Sequence, residues 1–111
     1  MKIIYVNGFN QGLKKLKKHH IEYNNSLKII DFIENTSNFN ELKASPFAKM
    51  YGFERLKYQN NKYYSFNPIK KGGVIRIIVR PKENNELEIY LVKISFDHYQ
   101  DFDSGRVIID D

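Results

Sequence analysis

Hydrophobic positions recur every three or four residues through the first part of the chain and every second residue through the later part, with the change near Gly52. A short β-rich run, KIIYVN (residues 2–7), comes first and closes on Asn7-Gly8, a turn signal. Phe9, Leu13, Leu16 and His20 then share one helical stripe, while Lys14, Lys15, Lys17 and Lys18 occupy the other faces, so a helix is predicted with its stripe inward and its lysines in water. Asn24-Asn25-Ser26 reads as an interruption, after which Leu27, Ile30 and Ile33, with Ile29 and Phe32 beside them, open a second helix that Ser26 is placed to cap. Asn38 with Glu41 three residues on has the capping-box spacing, and Ser45-Pro46 sets a cap residue before a proline at the first helical position. FNELKASPFAKMYG therefore reads as short helical pieces ending at Gly52.

Strand-like runs follow at FERLK (53–57), KYYSFNP (62–68), VIRIIVR (74–80) and ELEIYLVKI (86–94). They are separated by Gln59-Asn60-Asn61, Lys70-Lys71-Gly72-Gly73 and Lys82-Glu83-Asn84-Asn85, connections short enough to favour antiparallel neighbours. Both faces of the last two strands are largely apolar, which places them centrally and calls for cover by the helices. The predicted architecture is α+β in one domain: an N-terminal strand and two to three helices packed on a four-stranded antiparallel sheet.

Composition narrows the chemistry. At 111 residues the chain is long enough to bury about two-thirds of the surface its unfolded form exposes. It has no cysteine, which excludes disulfides, thiolate metal sites and thiol nucleophiles and fits a reducing cytoplasm. MKIIYVNGF is too short an apolar stretch for a signal peptide, and no run approaches the ~20 apolar residues of a membrane span. A cytoplasmic location is expected. The net charge is +5, and the last eleven residues hold four Asp and one Arg, so the body is more basic than the total and the tail after Phe102 is acidic. A basic body with 14% aromatics suits a polyanionic partner such as RNA. Charge alone does not separate that reading from a composition simply rich in Lys and Asn.

Arg76 stands in a strand whose neighbours Ile75, Ile77, Ile78 and Val79 are made for burial. Alternation sets Val74, Arg76, Ile78 and Arg80 on one face. Either the Arg76 head pairs with a carboxylate such as Glu54 or Glu88, or the planar fork holds phosphate oxygens and stabilises charge they gain in a transition state. His98 follows the most hydrophobic strand, and the same alternation carries it to the side of Tyr90 and Val92, with Asp97 aimed the other way. It is either a surface residue at a strand end or an acid–base group that titrates near neutral pH. His19 and His20 read as solvated, or packed in the case of His20. No HExxH, GxSxG or phosphate-cradling glycine loop is present, and Lys70-Lys71-Gly72-Gly73 lies between strands instead of opening a helix. An RNA-cleaving site needs none of these, because the substrate's own 2′-hydroxyl is the nucleophile and the protein supplies a base, an acid and a cation.

The segments LKASPFAKMYGFERLK, YYSFNPIKKGGVIRIIV and LEIYLVKISFDHYQDF, about sixty of the 111 residues, resemble the RelE/ParE superfamily of bacterial toxins from type II toxin–antitoxin modules. The resemblance implies a toxin neutralised by a cognate antitoxin and, for the RelE, YoeB and HigB branches, a ribosome-dependent endoribonuclease that cuts messenger RNA without a metal or other cofactor. The YoeB-like arrangement transfers onto Glu54 as the base that takes the 2′-hydroxyl proton, Arg76 as the phosphate-stabilising cation, His98 as the acid that protonates the leaving 5′-oxygen, and Tyr99 as a stacking or steadying group. It also implies contacts to ribosomal RNA or messenger from Lys14, Lys15, Lys18, Lys57, Lys62, Lys70, Lys71 and Arg80. RelE itself uses lysines on the strand matching YYSFNP, where this chain has Ser65 and Asn67. The YoeB-like end stops at His-Tyr, whereas this chain continues into its acidic segment. A ParE-like inhibitor of DNA gyrase and a non-catalytic RNA- or protein-binding relative remain alternatives on the same fold.

Overall fold

The computed structural model describes residues 1–57, 62–69, 72–107 and 109. Strand β1 (Lys2–Tyr5) leads through the left-handed Gly8 into α1 (Phe9–Leu16), followed by α2 (His20–Asn35), α3 (Phe39–Ala44) and α4 (Pro46–Met50). The later strands are β2 (Glu54–Arg55), β3 (Tyr64–Phe66), β4 (Arg76–Lys82) and β5 (Asn85–Ser95).

The cap signals act where the sequence puts them. Asn38 accepts a hydrogen bond from the Glu41 N–H at 2.8 Å and starts α3, and Ser45 accepts from the Phe47 N–H at 3.1 Å ahead of Pro46 and starts α4. Each such cap stabilises its helix by about 1 kcal/mol. Gly52, at φ +61°, takes the left-handed turn that ends the helical region.

The first two helices divide differently from the sequence reading. α1 stops at Leu16, and His20 opens α2 as an exposed residue instead of continuing the α1 stripe. Asn24-Asn25-Ser26 does not interrupt: the Ser26 hydroxyl donates to the Glu22 carbonyl at 2.7 Å from inside the helix, and Asn25 Nδ2 donates to the Pro68 carbonyl at 2.7 Å. The Asn25 and Ser26 side chains are satisfied without breaking the helix, so no cap forms at Ser26.

The sheet has five strands in the order β1-β5-β4-β3-β2. β2 through β5 form the expected antiparallel meander, but β1 adds as a fifth strand, parallel to β5, with Lys2 opposite Glu88 and Tyr5 opposite Leu91. The expected four-stranded antiparallel sheet is thus a mixed one. A parallel neighbour needs a crossover: the four helices carry the chain from β1 to β2 at the far edge of the sheet, and the meander returns it to β5. β4 and β5 are central, as their apolar faces require. The expected connection at Gln59-Asn60-Asn61 lies outside the described residues, whereas the β4–β5 turn is present, with Asn84 at φ +60°.

The helices cover one face. There Phe9, Leu16, Ile33, Leu42, Phe66 and Ile77 are among the residues that close the main core. The opposite, outer face carries a second, smaller cluster of Leu56, Tyr63, Ile78, Tyr90, Val92 and Phe102. A bulge divides the two along β5: Ile78 pairs with Lys93 and Val79 with Leu91, leaving Val92 as an extra residue. The alternation therefore changes phase. Tyr90 and Val92 face outward, but Ile94 and Phe96 turn to the helix side, so simple alternation no longer carries a side preference past Ile94.

The segment after Phe102 folds back on the outer face. The Phe102 ring meets Tyr63 edge-on at 5.2 Å, and Val107 and Ile109 pack on the outer cluster. A turn of 3-10 helix at Ser104–Arg106 is capped by Asp103, which also pairs with Arg106 at 3.3 Å. No helix among the described residues is long and apolar enough to cross a membrane.

Candidate active site

Beyond Ser95 the chain reverses through two consecutive left-handed residues, His98 at φ +56° and Tyr99 at φ +77°. For non-glycine residues this conformation costs about 1–2 kcal/mol each, so the loop has to be held. The Ser95 hydroxyl accepts the Tyr99 N–H at 2.8 Å, the Val74 carbonyl accepts the His98 N–H at 2.9 Å, and Asp97 accepts the Asp101 N–H at 2.7 Å. Asp101 in turn accepts the Phe96 N–H at 2.9 Å, and the Lys93 ammonium donates to the Asp101 carbonyl. Burial alone would raise the Asp101 carboxyl, but the Phe96 N–H and the nearby Ser95 hydroxyl and Lys93 ammonium outweigh it and hold the group below the ordinary aspartate value.

That loop turns Tyr99 over the outer face of β3 and β4. Its hydroxyl lies 2.6 Å from the buried Ser65 hydroxyl and donates to Glu54 Oε1 at 3.4 Å. Glu54 and Ser65 are direct partners across β2 and β3, so one register places both under the same phenol. The Arg76 guanidinium carbon stands 5.9 Å from the centre of the Tyr99 ring, a cation–π distance, and the His98 imidazole meets that ring edge-on at 4.9 Å. Burial raises the Tyr99 phenol above its ordinary value; the Ser65 hydrogen bond and Arg76 oppose the rise, and the Glu54 charge adds to it. Tyr99 is therefore a neutral hydroxyl at physiological pH, able to donate or accept but not a base.

The carboxylate partner considered for Arg76 does not occur. Arg76 Nη1 donates to the carbonyls of Gly73 at 3.1 Å and Ile75 at 3.0 Å, the first made available by Gly73 at φ +73°. Glu88 is instead held by Lys82 at 3.2 Å and Lys2 at 3.5 Å, which keep its carboxyl below the usual glutamate range. Both backbone bonds leave from one guanidinium nitrogen, so the rest of the fork is not committed to them. Glu54 and His98 are exposed and Arg76 is half-buried, leaving a cation, a carboxylate and an imidazole around one phenol at the surface.

The cationic positions are more scattered. Lys14, Lys15 and Lys18 are exposed on α1 and the turn after it, and α1 packs on the helix side of the sheet. Lys57 is exposed just after β2, and Lys62 pairs with Glu83 at 3.2 Å. Arg80 is nine-tenths buried with its guanidinium 5.7 Å from the Tyr63 ring, so it belongs to the outer-face interior more than to a solvent-facing patch. Lys70 and Lys71 lie outside the described residues.

Two residues that hold the cluster carried no role in the sequence reading. Ser65 anchors the Tyr99 hydroxyl and Ser95 its backbone. A signal existed: both are small hydroxyl residues inside otherwise apolar strands, where a buried polar group has to find a partner. Asp97 and Asp101 belong with them, as the carboxylates that brace the loop.

No protein-family model matches the chain, and no curated protein matches it by sequence. Among solved structures the chain is similar to a YoeB/ParE toxin from Agrobacterium tumefaciens, at 21% identity over 86% of this chain and 98% of that one, with a TM-score of 0.57. The likeness is one of fold: this chain shares the fold of that YoeB/ParE toxin.

Proposed function

We propose that this protein is the toxin of a toxin–antitoxin module and acts as a ribosome-dependent endoribonuclease. The observation that carries the reading is the gathering of Glu54, Arg76 and His98 around Tyr99, on the fold of a protein described as a YoeB/ParE toxin. In this mechanism Glu54 takes the proton from a 2′-hydroxyl, and the freed oxygen attacks the adjacent phosphorus. The Arg76 guanidinium neutralises charge on the phosphorane oxygens, and His98 gives its proton to the departing 5′-oxygen, leaving a 2′,3′-cyclic phosphate. Tyr99, neutral and fixed by Ser65, sets the distance between Glu54 and Arg76 and offers a ring face to a base. The cognate antitoxin is the expected partner that blocks this face, the ribosome is the expected partner in cleavage, and messenger RNA is the expected substrate.

The test is to map messenger cleavage with and without ribosomes for the protein and its Arg76→Ala and His98→Ala variants. Removing a charge-stabilising donor or a general acid is expected to lower the cleavage rate by about 10²-fold or more in each case. Growth arrest with intact messenger and gyrase-linked DNA damage would transfer the protein to the ParE-like reading.

A further inference from the structure

A pocket of about 300 Å³ opens behind the loop that holds Arg76, and none of the residues discussed for cleavage accounts for it. Its walls are apolar, from Ile69, Val74, Ile75 and Phe96, and its polar lining comes from Glu22, His19 and Asn67. Small-molecule sites have this make-up, apolar walls with a few polar groups that fix orientation, and the volume accommodates one nucleobase. Glu22 sits in the first turn of α2, where the helix dipole favours its carboxylate, and no hydrogen bond or ion pair engages that carboxylate among the described residues.

The pocket shares a wall with the candidate active site. Gly73, Val74 and Ile75 line it, and the same three residues give their carbonyls to Arg76 Nη1 and to the His98 N–H. The backbone of these three residues is thus common to both, so a nucleotide adjoining a phosphate held at Arg76 lies beside the pocket wall.

We infer that the pocket between α2 and the residue 73–75 loop receives a guanine base of the RNA next to the scissile phosphate, read by the Glu22 carboxylate. Guanine presents two donors side by side, N1–H and N2–H, to a single carboxylate, while adenine, cytosine and uracil each present one donor position on the same edge. The Phe96 and Val74 side chains pack against the faces of the base, and Asn67 or His19 serves its O6. A two-point contact of this kind discriminates by about tenfold or more. The inference rests on the nuclease reading for its position in the RNA, but base binding is measurable without cleavage.

Two measurements on the full chain separate the two. Titration with GMP, AMP, CMP and UMP, followed by NMR shifts of the Phe96 and Val74 amides, is expected to show GMP binding about tenfold more tightly than the others, with the difference lost in Glu22→Ala. Cleavage mapping on ribosomes with messengers that differ in the one base beside the cut is expected to show a guanine preference that falls about tenfold in Glu22→Ala and partly returns in Glu22→Gln. Equal binding of all four nucleotides, or none, with the same cleavage pattern in both proteins, overturns the guanine pocket and leaves the nuclease proposal to stand on its Arg76 and His98 variants. Selective GMP binding that depends on Glu22, in a protein that cuts no messenger, supports the pocket and overturns the nuclease.

Discussion

The two faces of the sheet are built on different principles. The helix-covered face is closed by interlocking apolar and aromatic side chains, with Phe53 stacked on Tyr64 at 5.3 Å and Phe39 edge-on to Tyr64 at 5.0 Å, and it hides few polar groups. The outer face is roofed by the chain's own return segment and mixes apolar packing with buried Ser65, Ser95 and Arg80. Apolar packing is non-directional and tolerates small shifts, whereas hydrogen-bonded hydroxyls fix a neighbour's position closely. The face that specifies geometry is also the one that presents Glu54, Arg76, His98 and Tyr99.

The neighbouring residues Ile77 and Ile78 offer the sharpest way to break that contrast, because both are fully buried but point to opposite faces. Ile77→Ala is expected to cost about 4 kcal/mol in urea denaturation, near the upper part of the range for such cavities. Ile78→Ala is expected to cost nearer 2 kcal/mol, since the return segment can settle into the space. Equal losses would mean that the outer cluster is as rigid as the main core.

A smaller effect is expected at Ser65. Ser65→Ala removes the 2.6 Å hydrogen bond to Tyr99 and should lower stability by about 1 kcal/mol. Its signature is local: amide hydrogen exchange should quicken at His98 and Tyr99, whose left-handed backbones lose a restraint, and stay unchanged at Leu42. Unchanged exchange at Tyr99 would show that the Ser95 hydroxyl alone holds the loop.

The smallest expected effect is the acid response of the loop. The Asp101 carboxyl is lowered in the folded protein, so its contribution to stability is present above its unfolded value of about 3.9 and is lost as pH falls through the folded value. Urea denaturation between pH 5 and pH 3 should therefore show a shallower loss of stability for Asp101→Asn than for the parent chain. An identical slope in both would place the acid sensitivity elsewhere.

What the sequence disclosed and what it concealed follow from range. Asn38 and Ser45 were legible as caps because a cap is decided by residues two or three positions away, and the meander was legible because its turns are short. The start of α2 was not, since Asn25 is satisfied by the Pro68 carbonyl, far along the chain, instead of ending the helix. The parallel docking of β1 and the extra residue at Val92 depend on partners that no local pattern names. Residue types pointed to Arg76 and His98, and the family resemblance added Glu54 and Tyr99, but neither pointed to the scaffold beneath them. Alternation aimed at placing His98, while the position of its loop is set by Ser95, Asp97 and Asp101 after the bulge has changed the phase.

The seating of β1 beside β5 has a temporal consequence. Lys2 and Tyr5 pair across the sheet with Glu88 and Leu91, so β1 waits, at roughly 5–20 residues synthesised per second, until the residues 86 positions further along have been made. Pairings between such distant segments also close late and slowly in refolding. Until then a growing chain carries an unsealed sheet and lacks the loop bearing His98 and Tyr99, so the cluster around Tyr99 is among the last features of this fold to assemble.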